Sequence, residues 1–134
     1  MFGKPDDTKL EIYSALLSGF MAGIELLQPG VPLNEVYHST LGAIRKCGFP
    51  EYIRGHFGHG LGAGLGSEQW PFISADEETK LQPGMLMAFE CPWYIDGLGG
   101  MIIENQFLVT DNGHEMMNTL PLGLEEIIKT TITR

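Results

Sequence analysis

A chain of 134 residues with 43% hydrophobic content has the size of one globular domain with a modest core, here residues 1–134 as a single unit. Its formal net charge of −9, from 8 Lys and Arg against 17 Asp and Glu, argues against nucleic acid or an anionic membrane surface as partner. No apolar run approaches the ~18 residues that span a bilayer, no signal-like apolar stretch follows the start, and two cysteines without a CxxC pair fit a reducing compartment, so the expectation is a cytoplasmic protein.

The first third predicts two helices. Asp6 and Asp7 suit a helix N-terminus, and Thr8 with Glu11 has the spacing of a capping box. Leu10, Tyr13, Leu17, Phe20, Met21, Ile24 and Leu27 then recur at threes and fours and define one apolar face, which reads as plain core packing. Gln28-Pro29-Gly30 stops this helix. A second helix is predicted from about Leu33 to Lys46. Pro32 suits its entry, Arg45 and Lys46 complement its last turn, and Gly48 suits the position beyond its end. Val36, Tyr37, Thr40, Leu41, Ile44 and Cys47 supply its inner face. The short connection predicts an antiparallel pair.

From Gly55 to Gly66 the chain holds six glycines. The stretch lacks the Gly-Lys-Ser/Thr end of a phosphate loop, and no GxGxxG precedes a clear helix. A glycine-rich strand or loop around a site is the better reading. Met85 to Glu90 and Met101 to Thr110 predict strands, with Asp96-Gly97 as the turn between them. Asp111-Asn112-Gly113 is a second turn, after which Glu115 to Asn118 can pair back. Helices first and strands afterwards predict an α+β fold, with two helices packed on an antiparallel sheet.

Three residues stand out for chemistry: His59, Glu90 and Glu104. Each carboxylate ends an apolar strand signal, where burial is costly unless something positive meets it. On neighbouring strands joined by a tight connection, the two can project from one face at cross-strand distance. Carboxylates that close need a shared proton or a cation between them. Oxygen donors with one imidazole suit Mn, Fe, Co or Zn. Taken singly, each residue has a plainer role, as a solvent-facing strand carboxylate or a polar loop histidine. His56 lies three residues before His59, so on a regular strand the two face opposite sides. It stands either behind the site or as a loop cap. His38 and His114 are assigned no role.

Taken together, the motifs resemble the pita-bread metallohydrolases, which include the methionine aminopeptidases, the proline-specific peptidases, creatinase and non-peptidase branches. The resemblance rests on His56-Phe57-Gly58-His59-Gly60, on Pro83-Gly84-Met85 through Glu90, and on Gly99-Gly100 through Glu104 followed by Leu108 to Gly113. It covers nearly the whole chain. It implies one half of a pita-bread fold, whose two similar halves are related by a pseudo-two-fold axis. In the peptidase branches it implies a dinuclear site for divalent Mn, Co, Fe or Zn. By position, His59 and Glu90 are then metal ligands and Glu104 bridges the metals. A bridging water is the nucleophile, and Glu90 is the catalytic proton shuttle. His56 is placed behind the ligands or against substrate.

Four departures accompany the resemblance. Two aspartate ligands belong to a hairpin that precedes this region in the family, and Asp6 and Asp7 are poor substitutes. Gly66-Ser67-Glu68-Gln69-Trp70-Pro71 lacks a substrate-contacting histidine. Ile102 stands where proline peptidases often carry arginine, and Cys91 replaces a usual proline. The implied function is a metal-dependent hydrolase of the Xaa-Pro peptidase and creatinase-like class, acting on a small peptide or small molecule. The alternatives are a creatinase-like or sulfonium-acid lyase-like enzyme, or a non-catalytic binding domain that keeps the scaffold. The missing aspartates imply a chain that lacks its N-terminal half or that pairs with itself as a homodimer.

Overall fold

The computed structural model describes residues 5–124. Helices α1 (Asp7–Ile24) and α2 (Leu33–Lys46) precede five strands: β1 (His56–Gly60), β2 (Gln69–Ser74), β3 (Leu86–Ile95), β4 (Gly99–Thr110) and β5 (Gly113–Met116). The strands form one antiparallel sheet in the order β2-β1-β3-β4-β5. The helices pack on each other and on the sheet, α1 against β3 and β4, α2 against β1 and β2. This is the α+β arrangement that the order of sequence signals predicts. Among the described residues no helix is long and apolar enough to cross a membrane.

The start of α1 differs from the predicted capping box. Asp6, in extended conformation, is the cap, and its carboxylate accepts a hydrogen bond from the Lys9 amide at 2.9 Å. The Lys9 ammonium meets the same carboxylate. Hydrogen bonds from the Lys9 side chain and backbone hold Asp6 below the usual carboxylate range.

The buried face of α1 is also rotated from the predicted stripe. Ile12, Tyr13, Ala15, Leu16, Gly19, Phe20 and Gly23 are buried, whereas Met21 is exposed. The cause is close helix packing through glycine. A Cβ on Gly19 would lie 2.4 Å from Ile44 Cγ1, and one on Gly23 would lie 2.2 Å from Phe89 Cζ. The helix therefore presents its smallest residues where neighbours press hardest. In α2, Leu33, Val36, Tyr37, Thr40 and Ile44 are buried as expected for an inner face, but Cys47 is exposed at the helix end. Its first free amides are satisfied by a loop, Leu33 N donating to Thr79 O and Asn34 N to Glu77 O.

The β3–β4 hairpin organises the sheet. Its ladder runs from Leu86 opposite Leu108 to Ile95 opposite Gly99, longer than the predicted strands. Asp96 to Leu98 form the turn, closed by Leu98 N donating to Ile95 O, with Gly97 at φ +75°. Strict alternation in β4 buries Met101, Ile103, Asn105, Phe107 and Val109. Phe89 and Phe107 meet Phe20 of α1, with ring centroids 5.0 and 6.1 Å apart. The opposite face of β4 carries Ile102, Glu104, Gln106 and Leu108. β5 pairs back onto β4 as predicted, starting slightly earlier.

Candidate active site

The outward face of the sheet collects the predicted chemistry. Glu90 and Glu104 are direct partners in the β3–β4 register. Residues directly opposite each other project from the same face, so the two carboxylates share it. His59 on β1 lies opposite Ala88, two residues before Glu90 on β3. All three residues therefore project from the face turned away from the α1 aromatic cluster.

Gly58 makes this placement possible. Its φ is +145°, and a Cβ there would lie 2.1 Å from the Ala88 carbonyl oxygen. The backbone of β1 thus presses directly onto β3. The same residue breaks the alternation of β1. Phe57, which a regular strand would put beside Glu90, turns inward instead, packing against Tyr37 and Tyr52 with centroids 5.2 and 6.2 Å away. His56 then comes to the site, its Nδ1 3.8 Å from Glu90 Oε1. The expectation that His56 and His59 point to opposite sides is corrected by this irregularity, which the register of β1 with β2 also shows.

The three donors have different surroundings. His59 is 7% exposed. Its Nδ1 lies 3.0 Å from the Gly60 carbonyl oxygen, which can only accept, so in the neutral ring the proton sits on Nδ1 and the lone pair on Nε2. Glu90 is 9% exposed and already has a cationic partner: Arg54 Nη2 donates to its Oε1 at 2.9 Å. Glu104 is exposed. Ile102 stands beside it on the same face, 42% exposed.

Arg54 was not singled out by sequence reasoning. Its signal was the physical requirement itself, since a buried carboxylate needs a positive partner and an arginine five residues before His59 supplies one. Arg54 Nε also donates to His56 O at 2.9 Å, and Tyr37 Oη donates to Arg54 O at 2.6 Å. Tyr52, 2% exposed, donates its hydroxyl to Pro92 O at 2.7 Å. The segment carrying Arg54 is thus tied to β3 and to α2. Glu68, across the glycine-rich loop, brings Oε2 within 3.8 Å of His56 Nε2. Cys91 is fully buried, and burial first, then the Glu90 charge, pushes its thiol well above the ordinary value. It is a neutral core residue rather than a nucleophile.

The donor types suit a borderline divalent cation. Their arrangement supplies only part of a site. Among the described residues, no group of three or more His, Cys, Asp and Glu is gathered closely enough to hold a metal. One of the three donors is paired with a guanidinium. The predicted set of His59, Glu90 and Glu104 therefore shares a face without converging.

Comparison with known proteins places this geometry. The model of metallopeptidase family M24 matches residues 1–111. An uncharacterized peptidase of Staphylococcus aureus is 33% identical over 116 residues, covering 87% of this chain and 32% of that protein. The structure of dipeptidase PepE from Mycobacterium ulcerans superimposes with a TM-score of 0.83 at 32% identity, over 91% of this chain and 32% of that one. The prolidase from Pyrococcus furiosus superimposes with a TM-score of 0.80 at 33% identity, over 89% of this chain and 35% of that one. The chain thus spans about a third of the length of these relatives, and its two helices on a five-stranded sheet are the corresponding part of their pita-bread domains.

Proposed function

The chain belongs to metallopeptidase family M24, and on that premise we propose that it forms one wall of a metal-dependent peptidase site of the Xaa-Pro dipeptidase and aminopeptidase class. The observation that supports this most is the direct pairing of Glu90 with Glu104, with His59 on the same face one strand away. Two carboxylates facing each other across a ladder repel unless a positive group intervenes. His59, whose Nδ1 is engaged by the Gly60 carbonyl, adds an imidazole donor through Nε2.

In this reading His59, Glu90 and Glu104 hold divalent metal, and the remaining donors come from a region outside this sequence or from a second copy of the chain. A bound divalent cation would supply Lewis-acid polarisation of a peptide carbonyl and acidify water. The chain's own residues do the rest. Glu90 holds and passes a proton, with His56 beside it. The substrate is a small peptide. A reduced, cytoplasmic setting agrees with two unpaired cysteines, one buried.

The test is hydrolysis of a panel of Xaa-Pro dipeptides by the chain, alone and joined to the N-terminal portion of a relative, with Mn²⁺ or Co²⁺ and with chelator. The reading expects activity from the joined form, lost on chelation. Activity of the joined form that chelator leaves untouched would refute metal dependence, and inactivity of every form would refute the peptidase assignment.

A further inference from the structure

We propose that Arg54 is a built-in cation at Glu90, which competes with divalent metal for that carboxylate and so sets the metal affinity of the site. This rests on the reading of Glu90 as a metal ligand.

The geometry carries the argument. The guanidinium uses a fork, Nη2 on Glu90 Oε1 and Nε on the His56 carbonyl, each at 2.9 Å. Both side chains of the pair are largely shielded, 27% and 12% exposed, so the charges interact through protein more than through water. Arg54 is held at its backbone by the Tyr37 hydroxyl and flanked by the anchored Tyr52. An exposed, wandering arginine would be screened and weak. This one is fixed at a single carboxylate.

A divalent ion binding Glu90 at the usual ligand distance of ~2.1 Å would sit only a few ångströms from the guanidinium carbon, with like charges sharing one carboxylate. Either the metal is weakened or Arg54 leaves. The structure gives it somewhere to go. Arg54 also lines a cavity of about 270 Å³ with Glu51, Tyr52, Trp93 and Tyr94. Glu51 offers a carboxylate, and Trp93 and Tyr94 offer aromatic faces for a guanidinium. Cation loading at Glu90 and a swing of Arg54 into this cavity are therefore one coupled event.

The experiment is Mn²⁺ titration followed by calorimetry and by thermal unfolding, on the chain joined to the N-terminal portion of a relative, as wild type, Arg54→Gln, Arg54→Lys and the double variant Arg54→Gln/Glu90→Gln. Arg54→Gln is expected to melt about 5–10 °C lower without metal, because it strands a shielded carboxylate. It should bind Mn²⁺ about tenfold or more tightly than wild type, and Mn²⁺ should restore the lost melting temperature. Arg54→Lys keeps a charge there and should stay near wild type in affinity, which also covers the case in which the glutamine variant fails to fold. The double variant should lose both the metal gain and the rescue. Equal Mn²⁺ affinity in wild type and Arg54→Gln would overturn the competition while leaving Glu90 as a ligand. Absence of Mn²⁺ binding in every variant would overturn the competition together with the metal reading on which it rests.

Discussion

Replacing Gly58 with alanine tests how the site is positioned. The new Cβ would lie 2.1 Å from Ala88 O, 3.0 Å from Ala88 C and 3.1 Å from Phe89 Cα. All three are backbone atoms of β3, which cannot turn aside as a side chain can. Relief requires β1 to move outward by roughly 1 Å, beyond the range of useful contact. The φ of +145° adds about 1–3 kcal/mol of strain for any residue with a Cβ. Loosening the β1–β3 ladder adds about 1 kcal/mol for each hydrogen bond lost. The sum is about 3–5 kcal/mol, at the upper end for a single substitution. With a urea slope of about 1.5–2 kcal/mol/M, the unfolding midpoint should fall by about 2 M. Circular dichroism across a urea series measures it. Gly42→Ala is the control: it lies inside α2, and a Cβ there meets nothing within 4 Å. That variant should gain about 0.5–1 kcal/mol from helix propensity. A Gly58→Ala midpoint within about 0.3 M of wild type would refute the close-approach argument.

Gly23→Ala should destabilise by about 2–3 kcal/mol through overpacking, since its Cβ would meet Phe89 Cζ at 2.2 Å and Thr40 Oγ1 at 2.4 Å. An unchanged melting temperature in that variant would show that α1 does not pack through its glycines. Alkaline titration should weaken the fold. Burial raises the thiol of Cys91 and the phenol of Tyr52 above their ordinary values of 9.0 and 10.0. Groups raised in the folded state give stability that is complete below the unfolded pKa and lost as pH rises toward the folded one. The urea midpoint should therefore fall as pH passes about 9, and fall less steeply in Cys91→Ala. A midpoint independent of pH up to about 11 would contradict this. In native protein at neutral pH, exposed Cys47 should react readily with a thiol reagent and Cys91 should not, a ratio that absorbance reads directly.

Much of the fold was legible because its signals are local. Pro32, Arg45, Lys46 and Gly48 bound α2, and Gly48 takes the positive φ of +100° expected beyond a helix end. Asp96-Gly97 fixes the hairpin turn, and the hairpin alone puts Glu90 opposite Glu104. What stayed hidden depends on contacts distant in sequence. A hydrophobic pattern cannot see that Gly19 and Gly23 face the core, because glycine carries no apolar signal while permitting the closest approach. Strict alternation misplaced His56, because one backbone irregularity at Gly58 reverses the faces of the residues before it. The same local reasoning required a positive partner for a buried glutamate and supplied a metal. The structure shows that a guanidinium meets the requirement at Glu90.

The most direct test of the site is Mn²⁺ content after equilibrium dialysis, by elemental analysis of a size-exclusion peak of known mass, for the wild-type chain and for Glu104→Gln, each alone and joined to the N-terminal portion of a relative. Glu104 is exposed, so this substitution should leave the melting temperature within ~1 °C. The account predicts bound Mn²⁺ in the wild-type joined form and its loss in an equally stable Glu104→Gln joined form. Mn²⁺ retained by the Glu104→Gln joined form, or absent from both wild-type forms at saturating concentration, would contradict the claim that the His59, Glu90 and Glu104 face holds metal.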